Sequence, residues 1–121
     1  MAGTNLAAGV ARSSETCGAL TGLLMVLGIA SGRKRIDDVD AYQASMKLAI
    51  EARKIFHKRV GNTLCAEIQK GLLGRSYKMS DDAEREEFHN DGGHTREVCP
   101  CVCGKAAGIA AEIVFREGLK P

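Results

Sequence analysis

From Ala19 to Ala30 apolar residues fill the chain almost without a break, interrupted only by Thr21, Gly22 and Gly28. A helix that is apolar on nearly all sides belongs in an interior, so Cys17 to Ala30 is expected to form a central core helix. Ser13, Ser14 or Thr16 stands ready to accept from its first free amides. The Ser31-Gly32 turn and the basic group Arg33, Lys34 and Arg35 would stop it and favour its negative end. The run is shorter than the roughly 20 residues that a bilayer crossing needs, and no membrane insertion is expected.

A different pattern begins near Asp37 or Asp38 and runs to about His57 or Arg59. Ser45, Leu48, Ala49, Ala52, Ile55 and Phe56 share one face, whereas Gln43, Lys47, Glu51, Lys54 and Lys58 share the other. That separation predicts a surface helix packed along one stripe. Gly61 closes it, and Asn62 or Thr63 would cap a third helix holding Leu64, Cys65, Ile68 and Leu72, ended by Gly71 and Gly74. Arg75 to His94 turns polar, with a short exposed helix after Ser80, Asp81 and Asp82 and a turn at Asn90-Asp91-Gly92-Gly93, and reads as peripheral. A last helix opens at Pro100 and carries Ala106, Ala107, Ile109, Ala110, Ile113 and Val114. The first dozen residues have no period and are expected to be a loose lead-in. No alternating strand pattern competes, so the expected fold is all-α, a single compact domain built as a bundle of about four to five helices.

Composition narrows the function. The 121 residues are 45% hydrophobic, enough for one core. A net charge of +2 from 17 basic and 15 acidic residues gives no reason to expect nucleic acid as a partner. With Tyr 2, Phe 3 and Trp 0 there is no base-stacking surface either. The outlier is Cys 5, an odd number that a complete set of internal disulfides cannot use. Met1 to Glu15 lacks the pattern of a signal peptide, and a lone Arg12 is no twin-arginine signal. A reducing cytoplasm is the expected location, where clustered cysteines bind metal or exchange electrons more often than they form structural bridges.

Three cysteines fall at expected helix starts: Cys17 after a Ser/Thr-rich cap, Cys65 after Asn62-Thr63, and Cys99 directly before Pro100, where it would itself be the cap. Free amides and partial positive charge at a helix start favour thiolate, the form that binds metal or attacks a disulfide. If the three starts converge, they build a pocket for sulfur ligands or an anionic iron–sulfur cluster. The Cys99-Pro100-Cys101-Val102-Cys103 run fits no standard ligand spacing. On a helix Cys103 shares a face with Cys99, so Cys103 is the expected fourth ligand and Cys101 a spare. His94 is an additional candidate because it is nearest to Cys99, although His57, His89 and His94 all read as solvated. Gly18 and Gly22 share a face and would let a bulky cofactor, or equally another backbone, approach Cys17. The basic group Arg53 to Arg59 is explained by its helix C-terminus without an acidic partner. No phosphate loop, H-E-x-x-H, G-x-S-x-G or acidic metal triad is present.

Cys17-Gly18-Ala19-Leu20-Thr21-Gly22 reads CGAxxG and is followed by Leu-Leu-Met-Val-Leu-Gly; this resembles the C_GCAxxG_C_C family of redox-active proteins. Phe56 through Cys65 with Gly61, Leu64 and Glu67 is similar to the family's segment around its next cysteine, and Cys99-Pro100 with Val102, Ala106, Ala107 and Glu112 to its closing helix. The resemblance implies an all-helical domain with four characteristic cysteines, a redox role, and association with transport or oxidoreductase partners. Related domains occur in split-Soret cytochromes, beside haem and iron–sulfur centres. Three of the four cysteines map onto Cys17, Cys65 and Cys99. The family's first cysteine precedes CGAxxG and is expected to be missing here, its place taken by Cys103 or Cys101, by a second subunit, or by nothing. A missing helix would bare the first helix and favour a homodimer. The expectation is an iron–sulfur or similar centre on Cys17, Cys65, Cys99 and Cys103, for electron transfer or redox sensing. The alternatives are a metal-free thiol–disulfide oxidoreductase, or a helical interaction protein with a structural zinc or buried thiols.

Overall fold

The computed structural model describes residues 2–120. Its elements are a short 3₁₀ turn Thr4–Leu6 and the helices α1 Gly18–Ser31, α2 Val39–Val60, α3 Cys65–Leu73, α4 Asp82–Asn90 and α5 Cys99–Arg116. The fold is all-α. The described residues contain no strand, and their one β-type pairing is an isolated antiparallel bridge between Thr16 and Leu64.

Helices α1, α2 and α5 pack on one another around the larger core. Leu20, Leu23 and Leu27 enter it from α1, Ala52 and Phe56 from α2, Ile68 from α3, and Val102, Ala106, Ile109 and Ile113 from α5. The three- and four-residue spacing within each set is the stripe that helix geometry puts on one face. Helix α2 begins where Asp38 accepts from the Ala41 amide at 3.0 Å and ends at Gly61, left-handed at φ 102. Two bidentate pairs, Arg59 with Glu112 and Arg116 with Glu51, clasp α2 to α5. Being exposed, they set register more than stability.

Four sequence expectations change. Helix α1 is apolar all round but covered on one side only: Met25 and Val26 are exposed and Ile29 is 73% exposed. The segment 75–94 is not peripheral. Tyr77, Met79 and Phe88 are buried as a second, smaller core, with the Tyr77 and Phe88 rings edge to face at 5.4 Å. Gly93 sits so close to the Phe88 ring that any side chain there would overlap it. The N-terminal residues are not a loose lead-in. Ala8, Gly9, Val10, Ala11, Arg12 and Ser14 all have positive φ, a conformation that costs an L-residue on the order of 1–2 kcal/mol. It is held by amide-to-carbonyl bonds along the segment, among them Arg12 to Ala7 at 3.1 Å and Glu15 to Gly9 at 3.0 Å. The sequence also placed the cap of the last helix one residue late: Val98 is the cap and Cys99 the first helical residue.

Phe56 has no exposed surface. Phe56→Ala is expected to cost about 3–5 kcal/mol in urea unfolding, as filled cores do when an aromatic ring is removed. Ile29→Ala on the bare side of α1 should stay within about 0.5 kcal/mol of the parent.

Candidate cysteine redox site

The Thr16–Leu64 bridge gathers the first pair of sulfurs. Around it the Cys17 amide donates to Thr63 O at 2.9 Å, the Cys65 amide to Glu15 O at 2.6 Å and the Ala66 amide to Ser14 O at 3.1 Å. Cys17 is the cap of α1 and Cys65 the first residue of α3, so the start of one helix is laid against the start of the other. Gly9 closes over them: a Cβ there would lie 2.8 Å from that of Cys65, and at φ +74 the position suits glycine. Cys99 starts α5, its amide bonded to Gly93 O at 3.2 Å. Cys103 follows one turn later on the same helix.

Cys17, Cys65, Cys99 and Cys103 line a single cavity of about 620 Å³. It lies at the seam between the cores, since Cys17 packs against the larger one and Cys99 against the smaller. Leu6, Ile68, Met79, Phe88, Val98 and Val102 supply apolar wall. Thr4, Arg12, Gln69, Arg85 and His94 supply polar groups, and no Asp or Glu takes part. Cys101 is not among the lining residues.

The other sequence candidates separate. Gly18 lines the cavity, and a Cβ on it would come 2.9 Å from Leu6 O, so the neighbour it admits is the chain's own N-terminal backbone. Gly22 does not line the cavity and has nothing near the position of a Cβ. His94 reaches the cavity and has its Nδ1 3.1 Å from that of His89, while His57 lies away from it on α2. Both histidines are exposed, as the sequence reading of solvated side chains has it, and they form a pair beside the cavity. Among the described residues no three His, Cys, Asp or Glu side chains close on one point that a single metal ion would occupy.

The sequence argument favoured thiolates, and the geometry reverses it. Burial first, then the charges of Cys17 and Cys99, push the Cys65 thiol up to about 12. Burial, then Cys17 and Cys103, push Cys99 to about 11, and Cys103 is raised by burial and Cys17. The helix starts cannot offset this because several of their amides are engaged. Those of Cys65 and Ala66 bond to Glu15 O and Ser14 O, that of Cys99 to Gly93 O, and Pro100 has none. That the thiols raise one another is the electrostatic sign of their proximity.

Sequence reading missed Gln69, Arg12, Arg85, Met79 and Phe88 as parts of the site. For Gln69 a signal existed: it stands four residues after Cys65, on the same helical face. The others reach the cavity through folding of segments that have no period of their own.

A thiol whose pKa rises on folding stabilises the fold below its unfolded value, and that contribution is lost as pH climbs toward the folded value. For Cys65 the window opens at the ordinary thiol value of 9.0 and closes near 12. The thermal midpoint of the metal-free, reduced chain should fall as pH rises from about 9 to about 11, and Cys65→Ala should flatten that slope.

No curated protein and no solved structure matches the chain. The family model described as "Putative redox-active protein (C_GCAxxG_C_C)" matches residues 1–113. With the family's cysteine-centred pattern laid over nearly the whole chain and four cysteines facing one cavity, this protein belongs to the C_GCAxxG_C_C family of redox-active proteins.

Proposed function

We propose that this protein is an electron-transfer or redox-sensing module whose working groups are Cys17, Cys65, Cys99 and Cys103, and that these four sulfurs hold an iron–sulfur centre. The observation that carries the reading is that sulfurs from distant parts of the chain face one cavity to which no carboxylate contributes. Thiolates are the ligands such centres use. The negative charge of a thiolate-ligated cluster suits a wall that brings Arg12, Arg85 and the Gln69 amide and no acid. One metal ion asks for ligands that close on a point, and among the described residues no three His, Cys, Asp or Glu side chains do so. A single structural zinc is for that reason the weaker alternative.

When bound, such a centre supplies one-electron chemistry. The chain's part is to deliver four sulfurs, to shed their protons as cations bind, and to keep water out with Leu6, Met79 and Phe88. The Gly9 segment and the bridge at Thr16 and Leu64 keep Cys17 and Cys65 together throughout.

A second reading, dithiol–disulfide exchange without metal, has in its favour the close placement of Cys17 and Cys65 across the bridge. Against it stands protonation: the attacking species is a thiolate, and burial holds Cys65 and Cys99 as thiols.

Purification without oxygen should give iron and acid-labile sulfide bound to the chain and visible absorption that bleaches on reduction. Cys17→Ser, Cys65→Ser and Cys99→Ser should each lose most of the iron, while Cys101→Ser keeps it. A metal-free protein forming one stoichiometric, reversible disulfide would replace this reading with the second. Stoichiometric zinc without a redox response would replace both.

A further inference from the structure

We infer that Gln69 is the positioning residue of the cysteine site: its side-chain amide donates to Cys65 Sγ and so fixes where that sulfur points. The inference deepens the reading above and rests on it for the sulfur's role, but not for the hydrogen bond itself.

Gln69 is 3% exposed, the one buried polar side chain among the described residues. Burying an amide costs free energy unless both of its ends are bonded, and here both are. Its Oε1 accepts from the Tyr77 amide at 3.0 Å, and its Nε2 lies 3.6 Å from Cys65 Sγ, within reach of a sulfur acceptor. The orientation is decided by chemistry. A backbone N–H needs an acceptor, so the oxygen must face Tyr77, and the NH₂ is left to face sulfur. The buried Tyr77, part of the smaller core, thereby locks a residue of α3. Helical spacing of four residues then aims the locked amide at Cys65.

Tying the 74–77 segment to α3 uses only Oε1 and would leave Nε2 without purpose. The donor end is what singles out glutamine over an apolar residue of the same size. Charge-assisted bonds are the stronger kind, so the contact gains most when the sulfur is negative. Bonds to sulfur are also among the levers that set the potential of a thiolate-ligated centre.

The test uses the full chain with Gln69→Leu and Gln69→Met, which keep the volume and remove the donor. In the reduced, metal-free protein at fixed pH, iodoacetamide modification mapped by peptide should slow about three- to fivefold at Cys65, because losing one bond to a charged acceptor lowers the thiolate fraction about tenfold while the more basic sulfur reacts faster, and Cys99 and Cys103 should change less than about twofold. A purely structural role predicts the opposite sign, because a loosened site exposes its thiols and speeds the reaction; faster or unchanged modification of Cys65 overturns the inference. In the iron-loaded protein the midpoint potential should move to more negative values in both variants, and an unmoved potential also counts against it. Should the parent chain bind no iron, the iron–sulfur reading falls while the alkylation comparison still decides the role of Gln69. Should the variants fail to fold, the side-chain amide resonances of Gln69 in the parent chain and in Cys65→Ala decide it: they should shift when the sulfur is removed, and an unchanged position would refute the contact.

Discussion

The site hangs on one small pairing, the antiparallel bridge between Thr16 and Leu64. Helices α1 and α3 are separated in the chain by all of α2, and helix packing alone fixes their axes more firmly than the register of their ends. The bridge supplies that register, because hydrogen bonds on either side of it run between backbone atoms of Ser14 to Cys17 and Thr63 to Ala66. Two cysteines stand immediately beside the paired residues. Once they are fixed, α5 need only pack in its place against α1 to bring Cys99 and Cys103 to the same cavity.

The same bonds explain why the electrostatics run against a simple helix-start argument. A helix N-terminus favours an anion only while its amides are free. Here the N-terminal segment spends its carbonyls on the start of α3, and the sulfurs are left in a half-buried seam with other sulfurs for company. Fixing position and freeing amides are competing uses of one set of groups, and this fold uses them for position. The consequence is that the thiols of Cys65, Cys99 and Cys103 hold their protons more firmly than a free cysteine does. A cation removes both penalties together, since it attracts each thiolate and screens it from the next.

Much of the framework is legible in the sequence because it rests on local rules. The apolar stripe and the pair Asp38 and Gly61 place α2, helical spacing unites Cys99 with Cys103, and Ser/Thr, Asn and Pro signals put Cys17, Cys65 and Cys99 at helix starts. What escaped has no local signature. Five consecutive left-handed residues, Ala8 to Arg12, obey no propensity and are held by bonds within the folded segment. The polar composition of 75–94 hides the three residues that matter there, Tyr77, Met79 and Phe88, which are too irregularly spaced to show a period. An all-apolar helix such as α1 announces burial without saying on how many sides, and Ile29 shows that one side is enough.

Gln69 joins these two kinds of information. Its spacing from Cys65 is local and visible, but its meaning depends on Tyr77, a residue that only the tertiary fold brings to it. The smaller core therefore does more than cover the cavity. By burying Tyr77 it turns an amide that would otherwise rotate into a fixed donor, and it sets Cys99 against the same cluster. A change in how 75–94 packs would reach two of the four sulfurs at once, through a hydrogen bond at Cys65 and through direct contact at Cys99. The cavity's chemistry is thus coupled to the packing of the segment whose sequence gives the least warning of it.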